Sequence, residues 1–300
     1  MKYFVASGED RRLTPAARAE LRGQFIALSD GVTHYELSGP EDGQLVVMAG
    51  GLTVPLFYWD EMAAHLHGRG LQTLTYSAYG RGYSDRVDTA YDQELFVRQL
   101  AEVIDMVGEG RPHHLVGTSM GALVAMAYLQ AVPSNTALTL TLVGPAGLSR
   151  PPLTQRLLLG SDLMTTVVAR TIGSRVLDQH LGHNVREPGR AAALSDMVGQ
   201  AFRYEGSLYA FFSTLRNFGL FDRGELYRRT GQLAVPGLLV WGDDDEVTPI
   251  TALDRVVTML RPEDTCIIDN CGHMAPFEQP REVATVLADF AATHTERLTS

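Results

Sequence analysis

The segment Gly117-Thr118-Ser119-Met120-Gly121 follows a short apolar run, His113 to Val116, and leads into a long apolar stretch from Met120 to Ala131. A serine on a sharp strand-to-helix turn sits in strained backbone with its hydroxyl projecting. Its flanks must then be glycine, because side chains there would collide. Thr118 or Ser119 could equally cap the helix that follows, so the string alone leaves two readings. A serine hydroxyl is a poor nucleophile near neutral pH and needs a histidine to take its proton and a carboxylate to orient that histidine. Of the nine histidines, His273 stands at the end of a strand-like run, in Asn270-Cys271-Gly272-His273-Met274-Ala275-Pro276. Three consecutive aspartates, Asp243, Asp244 and Asp245, follow another such run, Gly237 to Trp241. The chemistry these residues could perform together is acyl transfer, in the chain order serine, aspartate, histidine.

Elements that could position them are legible along the chain. Apolar runs suited to strands lie near Gln24 to Leu28, Thr33 to Leu37, Leu45 to Met48, Gln72 to Tyr76, His113 to Val116, Leu138 to Val143, Gly237 to Trp241 and Thr265 to Asp269. Amphipathic stretches suited to helices fill Trp59 to Gly68, Leu95 to Val107, Met120 to Ala131, Thr251 to Leu260 and Arg281 to Thr293. This alternation predicts an α/β protein with a mostly parallel central sheet flanked by helices. In such an open sheet reactive groups gather where strands end, which is where Ser119, the aspartates and His273 fall.

Between Val143 and Gly237 no strand-like run occurs, and the stretch reads as helices. Pro151 and Pro152 mark its start, and it is rich in apolar residues: Leu157-Leu158-Leu159, Met164, Val167-Val168, Phe202, Tyr204, Tyr209 and Phe211-Phe212. The expected organisation is a core formed by residues 1–147 and 234–300 with a helical cap inserted over residues 148–233. A helical subdomain burying its own core is the plainer alternative, and most of its apolar residues should be core either way.

Three hundred residues that are 45% hydrophobic and 20% charged are ordinary for a globular protein and exclude collagen, coiled coil and disorder. Twenty-five basic against 35 acidic residues give a net charge of −10, which argues against nucleic acid as a partner and for a small neutral or apolar substrate. Cys266 and Cys271 are too few for a disulfide framework or a zinc cluster and fit a reducing compartment. The first dozen residues do not read as a signal peptide, and no apolar run is long enough for a membrane span. A cytoplasmic protein is therefore the expectation.

Taken together, these motifs resemble the α/β-hydrolase fold superfamily in its capped serine esterase and lipase-like branch, from about Gln24 to Phe290. The resemblance includes Gly80-Arg81-Gly82-Tyr83-Ser84-Asp85 after the fourth strand, and Gly272-His273 with Pro276, Glu278 and Pro280. It implies a Ser119 nucleophile, a His273 base and, from its offset to Gly242 and Pro249, Asp245 as the acid. Asp243 and Asp244 then read as a solvated acidic turn. It implies an oxyanion hole from the backbone amides of Met120 and Leu52. Here Gly50-Gly51 stands where the family has His-Gly, a departure that removes a side-chain brace from that loop. Ser77 replaces a frequent aspartate, and Ala122 a frequent glycine.

The implied activity is hydrolysis of a carboxylic ester, with Phe57 and Trp59 on the loop after the third strand and Phe211 and Phe212 in the insertion binding an apolar substrate portion. The same triad can cleave carbon–carbon bonds, thioesters or lactones, act as a cofactor-free haloperoxidase, or serve a biosynthetic cyclisation. The segment Val143-Gly144-Pro145-Ala146-Gly147 is similar to what carbon–carbon hydrolases carry. A catalytically silent ligand-binding member of the fold is the alternative from another class. No metal and no organic cofactor are expected. Gly80-Arg81-Gly82 lacks the third glycine of a dinucleotide fingerprint. His180 and His183 have no acidic or cysteine partner nearby and read as a surface pair. His113 or His114 should be a hydrogen-bonded residue at a strand edge, and Cys271 a small apolar filler.

Overall fold

The structure, a computed structural model, describes residues 1–150, 159–182 and 185–299. Among them, eight strands form one sheet: β1 (Gln24–Ala27), β2 (Val32–Ser38), β3 (Gln44–Ala49), β4 (Leu71–Tyr76), β5 (His113–Thr118), β6 (Ala137–Val143), β7 (Gly237–Gly242) and β8 (Asp264–Ile268). Their spatial order is β1-β2-β4-β3-β5-β6-β7-β8. The pairs β1–β2 and β2–β4 are antiparallel and all others parallel. Strands β3 and β7 read as nearly unbroken apolar runs because helices cover the sheet, and Leu45 to Ala49 and Leu238 to Trp241 are accordingly buried.

Helix α1 (Pro15–Ala19), capped by the Thr14 hydroxyl, precedes the sheet. Helices α2 (Asp60–His67), α3 (Gln93–Met106) and α4 (Met120–Ala131) follow β3, β4 and β5. From Met120 to Leu129 every residue of α4 is buried, as its apolar composition on all sides requires. After β6 the described chain is helical up to β7: α5 (Asp162–Gly182), α6 (Pro188–Ala201), α7 (Ser207–Asn217) and α8 (Gly224–Thr230). The expected features at Pro151, Pro152, Leu157, Leu158 and His183 lie outside the described residues. Helix α5 packs on α6 and α7, whereas α8 lies against α4 and α9 (Leu253–Leu260). The short α10 (Ala275–Glu278) and the long α11 (Pro280–Thr299) close the chain, with α11 packed on α2. A 3-10 turn, Leu56–Trp59, leads into α2.

The Glu9 carboxylate accepts hydrogen bonds from the amides of Gly206 and Leu208 at 2.9 and 2.7 Å, which caps the N-terminus of α7 from a distant part of the chain. His113 and His114 are not at a sheet edge. Because β5 lies between β3 and β6, both are buried, with His114 bonded to Thr139 and Gln44 and its pKa drawn down to about 4 by burial.

Parallel register determines what meets at the C-terminal edge of the sheet. Ala49 pairs with Gly117, Thr118 with Val143, Val143 with Val240, and Gly242 with Ile268. The loops that carry Leu52, Ser119, Gly144, Asp245 and His273 therefore leave the sheet side by side.

Candidate active site

Ser119 has φ 52° and ψ −116°, a left-handed backbone that is strained for any residue with a side chain. The turn is held from both sides, by the Ser119 amide donating to the Val143 carbonyl at 3.1 Å and the Ala146 amide donating to the Ser119 carbonyl at 3.2 Å. Both flanking glycines are sterically required. A β-carbon at Gly117 would lie 2.5 Å from the Gly121 carbonyl oxygen, and one at Gly121 would lie 2.1 Å from the Ala49 carbonyl oxygen. The contacts are with backbone, which cannot swing away. We expect Gly121→Ala to destabilise the fold by about 3 kcal/mol, at the upper end for inserted methyl groups in tight packing. Thermal unfolding of the variant tests this, and an unchanged Tm would refute the close approach of β3 and α4.

The Ser119 hydroxyl makes no capping bond to α4. It lies 2.9 Å from His273 Nε2, and His273 Nδ1 lies 2.8 Å from Asp245 Oδ2. His273 and the Asp245 carboxylate are buried, and the carboxylate is fully hydrogen-bonded: Oδ1 accepts the amides of Val247 and Thr248 at 2.9 and 2.7 Å, and Oδ2 accepts the Thr248 hydroxyl at 2.7 Å. The Thr248 carbonyl in turn accepts the Trp241 indole N–H at 2.7 Å, which ties the loop back to β7. Gly144, at φ +47°, leaves room for the pair, since a β-carbon there would lie 3.1 Å from Asp245 Oδ2.

The neighbouring aspartates differ. Asp244 is exposed and pairs with Arg186 at 3.3 Å. Asp243 is exposed as well, as expected of a solvated turn, but it also holds structure: its Oδ1 accepts the Cys271 amide at 3.0 Å, and bonds from the Cys271 and Asn270 amides hold its pKa below the ordinary value. It clamps the Asp245 loop to the His273 loop. Glu278 has a role that its position in the sequence does not reveal: its carboxylate accepts the Gly272 amide at 2.6 Å and the Arg186 amide at 2.5 Å, joining the residue before His273 to the start of α6. Cys271 is fully buried, and burial together with Glu278 pushes its thiol pKa up.

On the β3 side, Gly51 faces Ser119, and a β-carbon there would lie in ordinary contact, 3.5 Å from Ser119 Cβ. The amides of Leu52 and Met120 donate no hydrogen bond among the described residues, and Met120 opens α4, where backbone N–H groups have no intrahelical acceptor. The place of the absent histidine is filled, since a β-carbon at Gly50 would start 3.1 Å from Val54 Cγ2 and 3.9 Å from Trp59 Nε1. Ser77 also fits its surroundings. Its hydroxyl accepts the Leu56 amide at 3.1 Å and faces His34 Nδ1 at 3.2 Å. Burial lowers the His34 pKa to about 4, so the ring is neutral, bonding the Arg22 carbonyl through Nε2 and accepting the serine proton at Nδ1.

Of the four residues expected to contact substrate, Trp59 is fully buried and packs edge-on against Tyr58, and Phe211 and Phe212 are buried in α7 and meet each other. The Phe57 ring meets His34 and Tyr83 and lies under the Arg22 guanidinium. None of these described ring contacts involves Ser119, Asp245 or His273. Among the described residues no group of His, Cys, Asp and Glu could hold a metal ion, and no helix is long and apolar enough to cross a membrane.

A sequence profile of the alpha/beta hydrolase family matches residues 45–286. Similar proteins include a monoacylglycerol lipase of Xenopus laevis, 27% identical over 205 residues, which covers 66% of this chain and 60% of the lipase. The chain thus spans about 60% of the length of that relative. A 2-hydroxy-6-oxononadienedioate/2-hydroxy-6-oxononatrienedioate hydrolase of Burkholderia vietnamiensis is 26% identical over 268 residues, covering 86% of this chain and 90% of that protein. Among solved structures, a thermophilic esterase from Thermogutta terrifontis superposes with a TM-score of 0.77 at 18% identity, covering 91% of this chain and 99% of the esterase.

Proposed function

The chain belongs to the alpha/beta hydrolase family, and from that premise we propose that it is a serine hydrolase cleaving carboxylic esters with an apolar portion through a covalent acyl-enzyme. The observation that carries this reading is the hydrogen-bonded chain from Ser119 Oγ through His273 to Asp245, at 2.9 and 2.8 Å, on a strained turn beside two amides without acceptors. Ser119 Oγ attacks the carbonyl carbon as His273 Nε2 takes its proton. The oxyanion that forms accepts from the Leu52 and Met120 amides. Collapse of the tetrahedral adduct breaks the bond to the alkoxy oxygen, which leaves with the proton from His273. Water then repeats the sequence on the acyl-enzyme, giving the free acid and regenerating Ser119. Asp245 holds the imidazole with its proton on Nδ1 throughout.

The helices α5, α6 and α7 would act as the cap, with Phe211 and Phe212 packed inside it and Trp59 packed against Tyr58 beneath, so that these rings stiffen the walls of the substrate seat without lining it. The monoacylglycerol lipase among the relatives supports an acyl ester as substrate class. The test is labelling with a fluorophosphonate, followed by turnover of nitrophenyl esters of increasing acyl length. We expect one adduct, on Ser119, and kcat/KM rising from acetate to longer chains. Folded protein that takes no label would point to a ligand-binding member of the fold.

A second reading is carbon–carbon bond hydrolysis of a vinylogous diketone. It is favoured by the relative from Burkholderia vietnamiensis, which matches over 90% of its own length, and by the turn Gly144-Pro145-Ala146-Gly147. Turnover of such a dienol diketone in preference to every ester of the series would select it.

A further inference from the structure

Among the described residues, Arg81 is the one charged side chain in the group of largest fully buried side chains. It is 0% exposed, and its hydrogen-bond acceptors among the described residues are carbonyls and a hydroxyl, with no carboxylate. Its Nε donates to the Leu52 carbonyl at 2.7 Å, Nη1 to the Tyr79 carbonyl at 3.0 Å and Nη2 to the Thr214 hydroxyl at 2.8 Å, while its guanidinium lies over the rings of Tyr91 and Phe96. Burial lowers its pKa to about 10, which leaves it charged at neutral pH. A core that needed only filling would be served at least as well by an apolar side chain of similar volume, since desolvating a cation is costly. What Arg81 provides instead is a rigid planar fork that holds three acceptors in fixed relation.

Two of those acceptors belong to parts of the protein that must act together. Leu52 bears one of the two amides that face the reacting carbonyl in the mechanism above. Thr214 lies on α7 in the insertion, four residues after Ala210, so both are on one face of that helix. Ala210 is the residue that Gly80 abuts: a β-carbon at Gly80 would lie 2.3 Å from Ala210 Cβ. Helix α7 therefore rests on the Gly80-Arg81 turn at both points. The loop carrying Leu52 has lost the family's histidine, and Arg81 grips it by the carbonyl of the very residue whose amide is needed.

We infer that Arg81 is a positioning residue of the reaction, which uses its anchorage on α7 to fix the Leu52–Thr53 peptide and, through the Leu52 Cα that this plane shares with the preceding one, to limit the orientation of the Leu52 amide toward the oxyanion. This rests on the acyl-transfer reading proposed above. Seating of the insertion on the core then sets the oxyanion geometry directly, so substrates that hold α7 in place also complete the site. Losing an oxyanion donor outright costs about 100- to 1,000-fold in kcat, and a donor that is only loosened should cost about 10- to 100-fold.

The test compares wild type with Arg81→Met, Arg81→Lys and Thr214→Val, each normalised to the number of sites titrated by a fluorophosphonate. For Arg81→Met we expect kcat to fall about 10- to 100-fold with KM within about threefold, and for Thr214→Val a fall of about 3- to 10-fold, scaled from the same donor effect. Arg81→Lys should recover part of the loss. The affinity of a trifluoromethyl ketone, which adds to Ser119 and carries the oxyanion, should fall in step with kcat. A general loosening of the fold would lower the titrated sites rather than turnover per site. Turnover per site within twofold of wild type in Thr214→Val and in Arg81→Met, or a rise in KM with kcat unchanged, would overturn the inference alone; if Arg81→Met does not fold, Thr214→Val decides. Wild-type protein that neither takes the label nor cleaves an ester would overturn the acyl-transfer reading and this inference with it.

Discussion

Ser119→Ala is expected to lower ester turnover by about 1,000-fold or more while leaving the fold intact, because the variant removes the proposed nucleophile and almost nothing else. The hydroxyl makes one described side-chain contact, with His273 Nε2, and does not cap α4. The bonds that secure the turn run through the Ser119 amide and carbonyl, which alanine retains. Alanine also tolerates φ 52° no worse than serine does, so the strain is unchanged. A small residual rate should survive, since the two amides remain in place to stabilise an oxyanion formed by direct attack of water. The measurement is kcat on the best nitrophenyl ester alongside Tm. Retention of more than a tenth of wild-type turnover would remove Ser119 from the chemistry, whereas a large fall in Tm would mean that the hydroxyl is structural.

How much of this was legible in the sequence depended on whether the signal was local. Each of the eight expected strands has an observed counterpart; Leu45 to Met48 and Gly237 to Trp241 are legible without reference to neighbours because a strand covered by helices is mostly apolar, while Leu71 to Tyr76 is buried with Gln72, Thr73 and Thr75 among its residues. Short helices escaped notice. The segments Pro15–Ala19 and Ala275–Glu278 are too brief to display a period, although Thr14 before Pro15 is a capping signal that could have been read. Helix α11 continues beyond the expected Thr293 because its later residues are polar enough to blur the apolar stripe. At the site, Ser119 and His273 could be singled out by type and by position at strand ends. The bonds that organise them could not, because the Asp243 link to Cys271, the Glu278 link to Gly272 and the Arg81 link to Leu52 all join segments far apart in the chain. One trace was available. Arg81 stands between two glycines and Glu278 follows Met274-Ala275-Pro276-Phe277, and a charge with such immediate neighbours is buried only when it has several partners.

Asp245→Asn should be more damaging to turnover than its near-identical shape suggests, with kcat lower by about 10,000-fold and stability nearly unchanged. The reason lies in which donors face each carboxylate oxygen. Oδ1 accepts two backbone amides, from Val247 and Thr248, and these can only donate. An asparagine must therefore keep its carbonyl oxygen in that place and turn its NH2 group to the position of Oδ2. There it meets the Thr248 hydroxyl and His273 Nδ1. The hydroxyl can adapt by donating to the Gly144 carbonyl, 3.2 Å away, and accepting from the amide. Facing a donor, His273 Nδ1 must become the acceptor, so the imidazole proton moves to Nε2, the nitrogen that points at Ser119. The ring then donates to the serine hydroxyl and has no lone pair with which to take its proton. Every hydrogen bond is kept, and the one tautomer that can act as base is lost. Nitrogen NMR of the labelled ring provides the direct check, with the proton expected on Nδ1 in the wild type and on Nε2 in the variant. A proton that remained on Nδ1, or turnover within tenfold of wild type, would show that Asp245 is not what orients the base.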